Sequence, residues 1–163
     1  MNVASLPPLE ELIPHRGVSL LIDRVIAYDG KATTCLVDLE KQTWMKQADG
    51  SLPNWLVVEY MAQCMAVHEA ILAWLEGRRP DLGLLAAVSD LKIHEPILAP
   101  GQTLRVRATR LRGSRAVKAF THGCHAFGEN KETIAEGRIT VALKIPELEA
   151  SPEKRPNPTE TVG

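Results

Sequence analysis

The longest apolar pattern is PNWLVVEYMAQCMAVHEAILAWL, residues 53 to 75, in which from Trp55 onward only Glu59, Gln63, His68 and Glu69 break a run of core-type side chains. Its length and the absence of turn residues predict one long helix from about Trp55 to Leu75, with Asn54 as its N-cap and Gly77 with the run RRPDLG ending it. The same stretch has the length of a membrane span, but four polar groups interrupt it, which a bilayer centre tolerates poorly, so it reads as a core helix. Elsewhere the period changes to two. Leu104, Val106 and Ala108 alternate with Arg105 and Arg107, and Ile139, Val141 and Leu143 alternate with Arg138 and Lys144; both are signs of strands with one buried face.

The remaining elements follow from punctuation. A short helix around LEELI is broken at Pro14 and His15, and Asp29-Gly30 between apolar runs predicts a hairpin with strands over 19–28 and 32–39. An irregular segment, EKQTWMKQADGSLPN, leads into the long helix, and four strand candidates follow it: LLAAVSDLKIHE, TLRVRATRLR, AVKAFTHGCHAF and TIAEGRITVALKI. Residues 1–145 form one domain, and the proline-rich, apolar-poor stretch 146–163 reads as a disordered tail. The predicted class is α+β: an antiparallel sheet of about six strands around one long central helix, the hotdog arrangement, which pairs edge to edge as a dimer.

Composition narrows the function classes. With 19 basic against 20 acidic residues the net charge is −1, so there is no global field to gather nucleic acid or an acidic membrane. Cys35, Cys64 and Cys124 stand far apart in apolar runs and read as reduced core thiols of a cytoplasmic protein, and MNVASLPPLEELI lacks the pattern of a signal peptide. His122 and Cys124 fall on one face of a strand and His125 on the other, which argues against a shared metal ion. His94 reads as a solvent-edge residue. His68, nine residues past Glu59 and so on the opposite helix face, reads as a surface or interface residue.

A carboxylate in an apolar helix is costly unless it has a partner or a task, and three stretches say which applies to Glu59. LIPHRGVSLLIDRV resembles the opening of the 3-hydroxyacyl-acyl-carrier-protein dehydratases, PNWLVVEYMAQ resembles their catalytic helix, and AAVSDLKIHEPILAPGQTLRV resembles their third-strand region. The resemblance covers residues 9 to 144 and places Glu59 on the catalytic acid and Gln63 on the family's glutamine. One departure stands out. The family's GHFPGxP histidine, fourteen residues before the acid, is Met45 here, and the glycine at the start of the family's helix, whose backbone N–H holds the thioester oxygen, is Asn54. A member without that histidine, carrying PHRG and VEYMAQ, is similar to the second dehydratase subunit of aryl-polyene pathways.

What the resemblance implies is a candidate site with Glu59 as catalytic acid, Gln63, Asn54, Trp55 and Met45 around the substrate, and no metal. The substrate would be a 3-hydroxyacyl group on the phosphopantetheine of an acyl carrier protein, with no other cofactor. Since family sites combine a histidine from one chain with an acid from the other, a homodimer of this chain has no complete site, whereas a heterodimer with a histidine-containing dehydratase subunit has one. Two alternatives stay open: a hotdog thioesterase in which Glu59 activates water, and a non-catalytic acyl-binding or scaffold subunit. His15 reads as a structural histidine at the helix-to-strand turn rather than the missing base. Arg78, Arg79, Arg105, Arg107, Arg110, Arg112, Arg115 and Lys118 form either a basic surface for an acidic carrier or ordinary polar strand faces. Trp44, Trp55 and Trp74 line an acyl channel or fill the core.

Overall fold

A computed structural model describes residues 2–143; the stretch 146–163 assigned above to a disordered tail lies outside the described residues. A one-turn helix α1 (Leu9–Leu12) precedes the hairpin of β1 (Arg24–Tyr28) and β2 (Ala32–Asp38). A two-residue strand β3 (Leu52–Pro53) leads into α2 (Leu56–Leu75), and β4 (Gly83–Ile93), β5 (Ile97–Leu98), β6 (Thr103–Ser114), β7 (Ala119–Phe127) and β8 (Thr133–Leu143) follow. The main sheet has the order β1-β2-β6-β7-β8-β4, antiparallel throughout, while β3 and β5 pair separately. The predicted α+β hotdog architecture is the observed one.

The sheet wraps α2, which touches β2, β6, β7 and β8. Val57, Tyr60, Met61, Cys64, Val67 and Ile71 are fully buried between helix and sheet, where they meet Val37, Leu104, Val106, Ala108 and Ile139. The valine, leucine, isoleucine and methionine side chains among these each contribute roughly 1.5–3 kcal/mol relative to exposure. That burial explains how a helix apolar enough to cross a membrane by length and composition is used here: two thirds of its most apolar window is buried inside the protein. All three cysteines are buried and free, and the Cys64 thiol donates to the Val106 carbonyl at 3.1 Å.

The hairpin forms where Asp29-Gly30 predicts it. Gly30 takes φ +84°, and the Asp29 carboxylate accepts from the Lys31 and Ala32 main-chain N–H groups at 2.9 and 2.8 Å. Those two bonds, with the Arg107 guanidinium behind them, lower the Asp29 carboxyl to about 2. The first strand is shorter than expected, however, beginning at Arg24 rather than residue 19. The reason lies in two side-chain amides: Gln63 binds the Ser19 carbonyl and the Leu21 N–H, and Gln42 donates to the Leu21 carbonyl. Backbone groups satisfied in this way have no need of a neighbouring strand.

At the far end of the sheet Gly113 closes the β6–β7 hairpin at φ +112°, where a Cβ would stand 2.2 Å from the Ala119 carbonyl oxygen and 2.6 Å from Phe120 Cα. Gly113→Ala is therefore expected to lower stability by about 2 kcal/mol or more. Urea unfolding checks this, and an unchanged midpoint would refute it.

Candidate active site

Pro14, His15 and Arg16 follow α1 and cross the first half of α2. Arg16 pins this loop by donating to the carbonyls of Ile13 and His15, both at 2.6 Å, and to that of Glu10. On its other side the loop is clamped by Gln63, whose amide oxygen accepts from Leu21 N–H at 2.9 Å and whose amide nitrogen donates to Ser19 O at 2.8 Å. The same nitrogen reaches the Glu59 carboxylate at 2.9 Å, one helical turn back. His15 Nε2 then stands 3.7 Å from Glu59 Oε1.

These residues open onto a groove of about 480 Å³ that runs along α2 past Ala66, Glu69 and Ala73 to Arg110 and Phe120. Glu59 is 43% exposed at its mouth, His15 is 30% exposed, and Gln63 is buried. One carboxylate oxygen accepts from the Gln63 amide with His15 Nε2 nearby, and the groove opens beside it, an arrangement suited to exchanging a proton with a bound molecule.

Further along, the structure assembles a group that the sequence reading did not foresee. His68 is fully buried against the sheet, with Nδ1 2.9 Å from the Thr33 hydroxyl; the prediction of a surface or interface position is thus corrected, although its placement opposite Glu59 is right. The helix face opposite the groove is the face the sheet covers, and nine residues of spacing could not tell a sheet from solvent. Burial, then neighbouring His122, lowers the His68 imidazole to about 4. Glu69 Oε1 lies 3.1 Å from Nε2 of the buried His122 and 3.4 Å from Arg110 Nε. His68, Glu69 and His122 thus bring potential ligand atoms within 4.8 Å of one another. The Arg110 guanidinium already stands at Glu69 where a cation would be balanced, so the group reads as a buried polar cluster and not as a metal centre. His122 and Cys124 are buried and His125 faces outward toward Glu136, as period two requires.

The other predicted site residues do not line this groove. Met45 is partly buried against the core and, like Asn54 and Trp55, does not line the groove. Asn54 is not the N-cap of α2; that position belongs to Trp55, and the Asn54 amide instead donates to the Glu95 carbonyl at 3.1 Å, tying the start of the helix to the turn before β5. The tryptophans neither fill the core nor line the groove: Trp44, Trp55 and Trp74 are 53%, 52% and 40% exposed. Arg78, Arg107, Arg110 and Arg115 are paired with Glu76, Asp29, Glu69 and Asp81, whereas Arg79, Arg105, Arg112 and Lys118 are exposed and form no ion pair among the described residues.

Comparison with known proteins decides the family. The model of the ApeP-like family, described as ApeP dehydratase, matches residues 7–151. The chain belongs to the ApeP-like dehydratase family. Among curated proteins it is similar to the 3-hydroxyacyl-[acyl-carrier-protein] dehydratase FabZ of Histophilus somni, 32% identical over 123 residues, which is 72% of this chain and 80% of that protein. The FabZ of Chlamydia trachomatis is 26% identical over 149 residues, 86% of this chain and 93% of its own. Among solved structures, the dehydratase heterocomplex ApeI:P from Xenorhabdus doucetiae superposes with a TM-score of 0.80 at 19% identity, covering 90% of this chain and 99% of that one. A hypothetical thioesterase with coenzyme A from Streptococcus pneumoniae shares the fold more distantly, with a TM-score of 0.58 at 7% identity over 74% of this chain and 84% of its own.

Proposed function

We propose that this protein removes water from a 3-hydroxyacyl thioester on an acyl carrier protein, giving the trans-2-enoyl thioester, as one subunit of a composite site in the cytoplasm. The observation that carries this reading is Glu59: a carboxylate at the mouth of a groove of mixed apolar and charged lining, held by Gln63, in a chain whose position 45 is methionine. Dehydration needs a base for the Cα proton, an acid for the departing hydroxyl and a donor at the thioester oxygen. Glu59 suits the acid, and Met45 has no group to serve as base. That Met45, Asn54 and Trp55 lie outside the Glu59 groove agrees with a site shared between two chains, in which the partner's histidine meets Glu59.

An edge for such a partner exists. Among the described residues β4 pairs only with β8, and it exposes Leu84, Leu85, Val88 and Leu91 beside a row of main-chain groups with no strand partner there. A second sheet joined there would cover those side chains and bring the two α2 helices side by side. The relatives' names support the reaction, and the heterocomplex among the structural neighbours supports two unlike subunits.

The test is enoyl thioester formation from a 3-hydroxyacyl carrier protein, followed by intact-protein mass. This chain is measured alone and mixed with a histidine-containing dehydratase subunit from the same genome. Loss of water only in the mixture is the expected result. Free acid would indicate a thioesterase, and a mixture no faster than the partner alone would leave this chain a non-catalytic subunit.

A further inference from the structure

The sequence offers His15 as a turn residue, but the fold seats it at the acid. Both contacts to the Glu59 carboxyl are made through Oε1, from Gln63 Nε2 at 2.9 Å and from His15 Nε2 at 3.7 Å. Among the described residues no hydrogen bond engages Oε2. Neither partner is free to wander. Gln63 makes three hydrogen bonds through one buried amide, and Arg16 fastens the His15 main chain. The His15 Nδ1 is buried with no hydrogen-bond partner among the described residues, which bears on where the ring carries its proton. A buried N–H without an acceptor is costly, whereas a bare ring nitrogen is tolerated better, so the proton belongs on Nε2, the nitrogen that faces the carboxyl.

We infer that His15 is a positioning residue for the acid: its Nε2–H, with the Gln63 amide, holds Glu59 Oε1 and leaves Oε2 to carry the proton that the substrate hydroxyl receives. The inference rests on the dehydratase reading. The 3.7 Å separation closes to a hydrogen bond with a small tilt of the ring when substrate fills the groove, since such contacts are commonly long in empty sites.

The proton balance gives His15 its effect. The partner's base takes the Cα proton, and the C–H electron pair becomes the new C=C bond. The Cβ–O bond breaks with its electrons on oxygen, the Oε2 proton moves to that oxygen, and water departs. Glu59 ends the step as a carboxylate, so negative charge develops on it in the transition state, where two fixed N–H donors at Oε1 stabilise it more than they stabilise the neutral acid.

The experiment compares His15→Ala and His15→Gln in the mixed assembly, with assembly checked by size exclusion. In His15→Ala, kcat is expected to fall about tenfold to a hundredfold with KM changed by less than about twofold. His15→Gln keeps a side-chain N–H and is expected to recover most of that loss. In a Glu59→Gln background His15→Ala is expected to add nothing, because the histidine acts through the carboxyl. An unchanged kcat in His15→Ala, or a Gln variant as slow as the Ala one, overturns the inference while the dehydratase reading stands. A rise in KM alone makes His15 a wall of the groove and overturns it too. A wild-type mixture that forms no enoyl product overturns both readings. If the Ala variant fails to assemble, His15→Phe replaces it: a ring that fills the space without a donor should be as slow as predicted for Ala, and full activity refutes the role.

Discussion

Glu59→Gln is expected to lower kcat of the mixed assembly by about two to four orders of magnitude, the usual contribution of a positioned acid, with little change in KM. The amide has the shape of the carboxyl and its oxygen still accepts from Gln63, so the clamp between α2 and the loop at Ser19 survives. What the variant lacks is a proton to give. Because the side chain is 43% exposed, stability should move by no more than about 0.5 kcal/mol. Intact-protein mass reads the first expectation and urea unfolding the second. Retained turnover in a well-assembled mixture would remove Glu59 from the chemistry, and with it the central premise of the composite site. Loss of both turnover and stability would instead mark the residue as structural.

The second large effect is on the fold itself. His68 is fully buried, and burial first, then His122, brings its imidazole down to about 4 from an ordinary value of 6.5. A histidine whose folded value is depressed binds fewer protons in the native state than in the unfolded chain between those two values. Stability must therefore fall as pH drops below about 6.5, and the loss from this residue is complete near pH 4. At about 1.4 kcal/mol per pH unit the full loss is roughly 3 kcal/mol, a large part of the margin of a domain this size. His68→Asn retains an amide to meet the Thr33 hydroxyl but does not titrate. Urea unfolding at pH 7 and pH 4.5 should show a smaller acid loss in that variant than in the parent; equal losses would mean that other groups carry the acid sensitivity.

The same residue marks how far periodicity carries. On α2, a spacing of nine residues correctly sets His68 opposite Glu59, but whether that opposite face meets solvent or sheet depends on β2, whose Thr33 stands 35 positions earlier. Asn54 teaches the converse: a residue type that caps helices by local preference is drawn away here by the Glu95 carbonyl, 41 residues on, and the cap position passes to Trp55. Strand β1 lost its first five expected residues to Gln63, a long-range amide that no period-two pattern encodes.

By itself the sequence determined what local physics controls. Its apolar periods set one long helix and the strands about it, the Asp29-Gly30 pair set the first hairpin, and the spacing of four between Glu59 and Gln63 set them on one helix face. The motifs set the family, and Met45 set the question of a missing base. Only the tertiary structure decided the contacts between distant segments: His15 brought to Glu59 across 44 residues, His122 brought to Glu69 across 53, and β4 left as an open apolar edge. Such contacts depend on which faces meet when the sheet closes around the helix, and that closure is the sum of many weak packing terms that no single stretch of sequence records.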